Sequence, residues 1–296
     1  MSADLERRYT RLLHLYPAAY RRARGAELLE TLLESAEQGR TRPAAREVAA
    51  LVLGALRAYA GRDRRQSTRL SWLVAFRAAA LMLLVYDLAE RAVAVAFDAS
   101  YGGPSIWTPF ALALTLVALT LGACAVGAVL RGRYGIAVAT ATAAFVATLV
   151  VTLSTGDVVF GGLWGFPLAI ALLVPLLRHR PPPAAGLVRY APVLPLLLVL
   201  VDQGASAVLP GIAGILQRGA VLALCAGSLL WLAVDERLAM AVGLLVLNTM
   251  LIQTAFLVGG GVRSPAGAAV AMAITGFAPV VLLLASATTA RRRARI

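Results

Sequence analysis

The sequence changes character near residue 70. Residues 1–69 are charged and rich in arginine, whereas almost everything after Leu70 is apolar enough to lie in lipid. About 20 apolar residues suffice for a helix to cross the hydrocarbon core of a bilayer, and the apolar part has room for several such helices. We therefore expect an integral membrane protein with one sizeable domain outside the bilayer.

Composition and charge support this class. Hydrophobic residues make up 60% of the chain, against about 45–50% in soluble domains. All 28 basic residues are arginine, which, with the abundant Ala, Leu, Val and Gly, is typical of GC-rich bacterial genomes. The net charge of +13 is better explained by cytoplasmic loops facing anionic lipid than by direct nucleic-acid binding.

Apolar residues at helical spacing predict three helices in the N-terminal domain, here called the head. Their expected limits are about 4–16, 18–38 and 43–60, with Asp4 as the first N-cap and Pro17 between the first two helices. The third helix is expected to face the core with Val48, Leu51, Val52, Leu56 and Tyr59. Since a fold this small is marginally stable alone, we expect it to rest on a partner, a second copy or the membrane.

The apolar part, here called the body, predicts about eight membrane spans. Their approximate limits are 70–97, 106–130, 134–153, 160–177, 187–208, 212–234, 237–258 and 266–289. The fold class is therefore all-α: a three-helix cytoplasmic head (1–66), an eight-span bundle (67–290) and a basic tail (291–296). Six or seven spans with a re-entrant segment is the alternative.

The positions of arginine predict the orientation. With the head in the cytoplasm, the outside loops hold only Arg263, Asp98 and Asp157 as charged residues. The inside loops and the tail then hold Arg131, Arg133, Arg178, Arg180, Arg189, Arg237, Arg291, Arg292, Arg293 and Arg295. This agrees with the positive-inside rule and predicts a multi-pass protein of the bacterial plasma (inner) membrane with both termini in the cytoplasm.

The head resembles the HAAS-type helical signalling domain of bacteria. The resemblance covers about residues 4–60 and is carried by RRYTRLLHLYP at 7–17, YRR at 20–22 and ELLETLLE at 27–34. It implies association with PadR-like winged-helix transcription regulators, and hence membrane-linked signalling to a repressor. The docking surface that we expect on this basis comprises Leu12, Tyr16, Tyr20, Glu27, Glu30, Leu32 and Glu34.

Polar residues inside the predicted spans are the other candidate site, because charges at membrane depth are costly and often functional. We expect a cluster in the outer half of the bilayer, with Asp202 and Arg218 as a pair and Asp87 near Arg91. Its members are Asp87, Glu90, Arg91, Asp202, Arg218, Asn248 and Gln253. The alternatives are polar contacts that only join helices, or wet residues at the interface. Arg77 lies nearer the cytoplasmic side and is expected to snorkel to the headgroups there.

The residues for catalysis or metal binding are missing from the sequence. Without lysine a Walker-type phosphate loop is impossible, and His14 and His179 are the only histidines. Cys124 and Cys225 lie in apolar stretches, as small buried hydrophobes do. We therefore expect no enzyme activity, no metal and no cofactor.

Two functions remain open from the sequence. The first is a signalling protein whose head binds a PadR-like regulator while the body anchors it or senses a signal, with a second copy of the chain as a further candidate partner. The second is a transporter or permease component that uses Asp87 and Asp202, which lie in similar short contexts (VYD and VD) in the two halves of the body.

Overall fold

The computed structural model describes residues 3–36, 40–59, 68–100, 108–155, 164–179, 181, 186–208, 213–232, 234–258, 277 and 279–289. Throughout these ranges the regular structure is helical, as the sequence predicts. The eleven α-helices are α1 (Ala3–Leu13), α2 (Ala18–Glu34), α3 (Ala45–Tyr59), α4 (Thr68–Ser100), α5 (Pro109–Leu130), α6 (Tyr134–Thr155), α7 (Gly165–Arg178), α8 (Val193–Val208), α9 (Ala213–Trp231), α10 (Glu236–Val258) and α11 (Pro279–Thr289). A short 3-10 helix, Gly186–Tyr190, precedes α8.

The chain divides into two compact units. The first contains Met1–Gln66 with two short segments, Ala185–Val188 and Ala233–Asp235, and the second contains the remainder. The tail 291–296 and the arginine-rich segment 62–65 lie outside the described residues.

The head is built around α1, which packs against both α2 and α3. Its fully buried residues are Leu5, Tyr9, Leu13, Tyr16, Leu51 and Ala55. The Tyr16 ring stacks on Tyr20 with a centroid distance of 5.1 Å. Tyr16 also reaches α3 at Gly54, where any Cβ would collide with the tyrosine hydroxyl. Glycine at position 54 therefore lets α1 and α3 approach closely.

Two details of the predicted head are wrong. Val52 and Tyr59 are 39% and 50% exposed, because α3 turns Leu51, Gly54 and Ala55 towards α1 instead. The sequence pattern did not reveal that a glycine would provide the contact for Tyr16. Asp4 is not an N-cap: it lies in the first turn of α1, where its carboxylate accepts a hydrogen bond of 2.6 Å from Arg7.

A hydrogen-bond network around Glu47 fixes the start of α3. The Glu47 carboxylate accepts bonds from the Ala44 N–H (2.9 Å), the Tyr9 hydroxyl (2.7 Å) and the Arg40 guanidinium (3.3 Å). Glu47 is the third residue of α3, so its bond to Ala44 is the glutamate half of a capping box. The bond from Tyr9 ties α1 to this cap.

The same contacts shift two pKa values. The Tyr9 hydroxyl, the Ala44 N–H and the nearby arginines lower the pKa of Glu47 below its ordinary value of 4.5, against a smaller effect of burial. Burial and then the bond to Glu47 raise the pKa of Tyr9 from 10.0 to about 12. Glu47 therefore contributes stability above pH 4.5 that is lost as pH falls through its lower folded value.

We predict that the head loses stability as pH rises from 10 to about 12, because Tyr9 can then ionise in the unfolded chain and not in the folded one. Tyr9→Phe should reduce this alkaline loss, of which the buried Tyr16, whose pKa burial also raises, retains a part, and should cost about 1 kcal/mol at neutral pH. Urea titrations of the full chain in detergent, followed by circular dichroism at several pH values, measure both effects. An alkaline loss in Tyr9→Phe as large as that of the wild type would contradict the assignment.

Helix α4 is the centre of the body. It packs against α5, α7, α8 and α10. Of its most apolar stretch of 18 residues, 67% is buried within the protein. The corresponding stretches of α5 and α6 are only 33% and 28% buried. These helices expose large apolar side chains such as Leu116, Val146 and Leu153. Such surfaces are costly in water and are expected where helices face lipid.

Contacts with α4 fix the directions of three other helices of the body, and these directions agree with alternation from one helix to the next along the chain. Arg77 of α4 lies at the C-terminal end of α5, and Arg69 contacts His179 just beyond α7. Both α5 and α7 therefore run antiparallel to α4. Helix α10 runs parallel to α4, since Ala75 packs against Met240 while Tyr86 and Thr249 line one cavity further along.

Three helices in the described part are long and apolar enough to cross a bilayer. They are Arg69–Ala96, Pro109–Leu130 and Tyr134–Ser154. Four shorter apolar helices lie at Gly165–Arg178, Val193–Gly204, Gly219–Trp231 and Pro279–Thr289. Membrane association is thus supported by helix length and composition, and the count of eight spans stays a prediction.

Candidate functional site

Helix α7 begins with buried residues, although Trp164 just before it is 43% exposed. Gly165 and Phe166, the first two residues of α7, are both buried. The N-cap residue, Trp164, makes no side-chain capping bond, and no Ser, Thr, Asp or Asn is present at that position to provide one. Its 14 residues span about 21 Å, less than the roughly 30 Å of hydrocarbon. The first N–H groups of α7 therefore need an acceptor from another helix.

Asp87 of α4 supplies that acceptor. Its side chain is only 2% exposed, and the backbone N–H of Phe166 interacts with its carboxylate as a hydrogen-bond donor, whereas Oδ2 has no hydrogen-bond partner among the described residues. The next residue, Pro167, has no N–H to satisfy. A carboxylate at a helix N-terminus also interacts favourably with the helix dipole. Asp87 thus caps α7 from a neighbouring helix.

Gly165 makes this cap sterically feasible. A Cβ at position 165 would overlap all three terminal atoms of the Asp87 carboxyl group. A second close approach lies nearby at Gly122 of α5, where a Cβ would fall 2.9 Å from the Leu88 side chain and 3.5 Å from Phe166. Glycines therefore let α4, α5 and α7 meet around the buried start of α7.

Arg91 lies one turn after Asp87 and balances its charge. The two side chains interact electrostatically, as their spacing predicts. The Arg91 guanidinium also lies 5.5 Å from the centroid of the Phe166 ring, within the range of a cation–π contact. Both side chains therefore contact the first turn of α7.

Arg77 plays the opposite role at the end of α5. Its guanidinium donates to the carbonyl oxygens of Val129 (3.3 Å) and Leu130 (3.1 Å), where a cation matches the negative end of the helix dipole. The expectation that Arg77 snorkels to headgroups is wrong, because the side chain is buried and bonded to α5. The acceptors come from a different helix, which the sequence of α4 alone cannot reveal.

The turn after α5 satisfies its other terminal carbonyls. The N–H of Arg133 donates to Ala128 (2.8 Å) and that of Gly132 to Val129 (3.1 Å), which is the Schellman arrangement. Gly132 has φ = 71°, a conformation that favours glycine. Arg77 and this turn together secure the end of α5.

Two other members of the predicted cluster, Glu90 and Asp202, come together beside Tyr86 of α4. The Tyr86 hydroxyl donates to the Glu90 carboxylate, and Asp202 of α8 lies close enough to interact electrostatically with both. Tyr86, Asp202 and Thr249 line a cavity of about 10 Å³ with Leu198, Ala220 and Val221. That volume is at the lower limit for holding one water molecule.

The remaining members of the predicted cluster are Asn248, Arg218 and Gln253. Asn248 of α10 is fully buried, and neither of its amide atoms has a hydrogen-bond partner among the described residues. Arg218 and Gln253 belong to α9 and α10, but their side chains lie outside the described part. The predicted pair of Asp202 with Arg218 therefore stays a prediction, whereas Asp202 does lie near Glu90.

In the head, the predicted docking residues divide by exposure. Tyr16 is buried, and Leu12, Tyr20 and Leu32 pack against the hydrophobic core. Glu27, Glu30 and Glu34 are exposed on the outer face of α2. The four apolar and aromatic residues thus hold the head together, and the three glutamates are the members that a partner can reach in this structure.

No group of three His, Cys, Asp or Glu residues in the described ranges could hold a metal ion. Of the two cysteines, Cys225 is buried and Cys124 is exposed on α5. Cys124 therefore departs from the expectation of a buried hydrophobe, since the outer face of α5 is little covered by protein.

The sequence interpretation missed Gly165 and Phe166, the residues that give Asp87 its role. Two signals pointed to them: the fourth span is short, and the segment WGFP at 164–167 starts a helix without a local capping side chain. Comparison with protein-family models, curated proteins and solved structures finds no match for the chain.

Replacing Gly165 with alanine should destabilise the body by about 1–3 kcal/mol, because the new methyl group overlaps the Asp87 carboxylate. The control is Gly227→Ala in α9, where a Cβ meets nothing within 4 Å and should be neutral or stabilising by up to about 1 kcal/mol. Thermal unfolding of the purified full chain, followed by tryptophan fluorescence, compares the two. Equal stability of the variants would rule out the close contact.

Proposed function

We propose that the protein is a multi-pass signalling protein whose head docks a winged-helix transcription regulator of the PadR-like class, with the body as its membrane anchor or sensor. The observation that carries the proposal is the exposed row of Glu27, Glu30 and Glu34 on a head whose hydrophobic residues are used in its own core. An acidic row of this kind suits the basic surface of a nucleic-acid-binding protein. The HAAS-like sequence of the head indicates which class that protein belongs to.

We propose the predicted topology of eight spans with both termini in the cytoplasm. The helix directions, which agree with alternation along the chain, support it. So does the position of the arginines: the contacts of Arg77 and Arg69 bring the ends of α5 and α7 to the end of the bundle where α4 begins. The exposed Arg131, Arg133 and Arg178 then lie on the side where α4 begins, as the positive-inside rule requires. Anionic lipid is their proposed partner. Arg237, which the sequence placed in the same set, is buried.

The polar residues of the body favour an anchor over the transporter alternative. Asp87, one of the two aspartates that transport would use, caps α7. Asp202 lies beside Glu90 and a cavity at the lower limit for holding one water molecule. The two aspartates therefore have different surroundings, which argues against equivalent positions in a repeated transporter fold.

The test is capture of the regulator by the full chain. Tagged protein is solubilised from the native cell's membranes, and proteins that co-purify are identified by mass spectrometry. We predict a winged-helix regulator with the wild type, reduced at least about tenfold by Glu27→Gln, Glu30→Gln and Glu34→Gln together. Leu12 and Leu32 are unsuitable test positions, because they pack on the core.

The control is Glu6→Gln, which removes another exposed carboxylate of the head, on α1. It should capture as much regulator as the wild type. If the wild type captures no regulator, or if the triple variant captures as much as the control, the proposed docking function is wrong.

A further inference from the structure

The charges of α2 are arranged against the dipole of their own helix. Arg21, Arg22 and Arg24 lie in its first half, and the glutamates at 27, 30 and 34 lie in its second half. A helix is stabilised by the reverse order, with acidic residues near its N-terminus and basic residues near its C-terminus. The first turn of α2 contains no acidic residue and its last turn no basic residue. These side chains therefore do not serve the stability of α2.

The outer face of α2 is also open. Arg22, Arg24 and the three glutamates are exposed, and no ion pair joins any of them to another described residue. No residue of α2 is fully buried, although its leucines pack partly against the core. The helix therefore presents two oppositely charged halves to whatever lies outside the head.

We propose that this face binds a second copy of itself, with the two α2 helices antiparallel. An antiparallel arrangement places the basic half of each helix beside the acidic half of the other, so the surface is complementary to itself. Self-complementarity is what a two-fold symmetric interface requires, because every contact then occurs twice. A partner of a single charge sign would match only one half of this helix, as a basic regulator would match the glutamates.

The sequence of α2 also suits close approach at its middle. Gly25 and Ala26 separate the basic half from the acidic half, Ala23 lies within the basic half, and alanines 23 and 26 are exposed. A two-fold axis passing near Ala26 places Arg22 opposite Glu30 of the second copy and Arg24 within a turn of its Glu27. Small side chains at the axis let the helices come near enough for these pairs to form.

Membrane confinement explains how such an interface could be populated. Exposed ion pairs are individually weak, and four of them would not hold two free heads together at low concentration. Chains held in one membrane meet at a higher effective concentration. A regulator that uses the same glutamates would compete with the second copy, but the self-association does not depend on any regulator.

The test uses full chains carrying two different tags, produced together and purified from solubilised membranes through one tag. Wild-type copies should co-purify, and high salt should weaken their association. Arg22→Glu with Arg24→Glu makes α2 acidic throughout, and Glu27→Arg with Glu30→Arg makes it mainly basic. Each variant should pair with itself roughly tenfold less than the wild type does. A mixture of the acidic and basic variants should recover the wild-type level, which also shows that both are folded.

A fourth chain carries all four substitutions. It keeps the composition of the wild type but exchanges the charges of the two halves of α2 at positions 22, 24, 27 and 30. It should pair with itself as the wild type does, and only weakly with the wild type. The proposal is overturned if wild-type copies do not co-purify, if the single-sign variants pair with themselves as well as the wild type does, or if the mixture stays as low as its components. Failure to capture a regulator would leave these outcomes unchanged.

Discussion

A helix that ends within a membrane bundle must find partners for its terminal backbone groups, because lipid offers none. Much of the body can be understood from this constraint. Helix α7 starts among buried residues and takes the carboxylate of Asp87 at its N-terminus, while α5 gives its last carbonyls to Arg77. Both charged residues belong to α4, so the central helix holds the ends of two neighbours and fixes where they lie along its length.

The sign of each charge follows from the helix end that it meets. An anion lies at the positive end of α7 and a cation at the negative end of α5, so each satisfies hydrogen bonds and the helix dipole together. Charged residues in a membrane are by default candidates for transport or sensing. In this protein Arg77 and Asp87 have structural roles, whereas Glu90, Asp202 and Tyr86, like the buried Asn248, are polar residues that no helix end explains. The proposed function therefore rests on the head.

The sequence predicted the fold more completely than the site. Helical periodicity and apolar length located each helix of the described part to within a few residues in most cases, since both depend on local sequence. The predicted buried face of α3 was wrong, because that face is set by the contact of Tyr16 with Gly54, 38 residues away in sequence. The role of Asp87 was missed for a similar reason: it depends on Gly165 and Phe166, which come near Asp87 only when α4 and α7 pack. The exposed glutamates of α2, by contrast, followed directly from the pattern.

Hydrogen–deuterium exchange of the first turn of α7 tests the capping role of Asp87 most directly. The comparison is between the wild type and Asp87→Ala, both as full chains in detergent. The account predicts faster exchange of the amides at Gly165 and Phe166 in the variant, with unchanged exchange at the end of α5, where Arg77 still binds. Unchanged exchange at the start of α7, in a variant that remains folded, would contradict it.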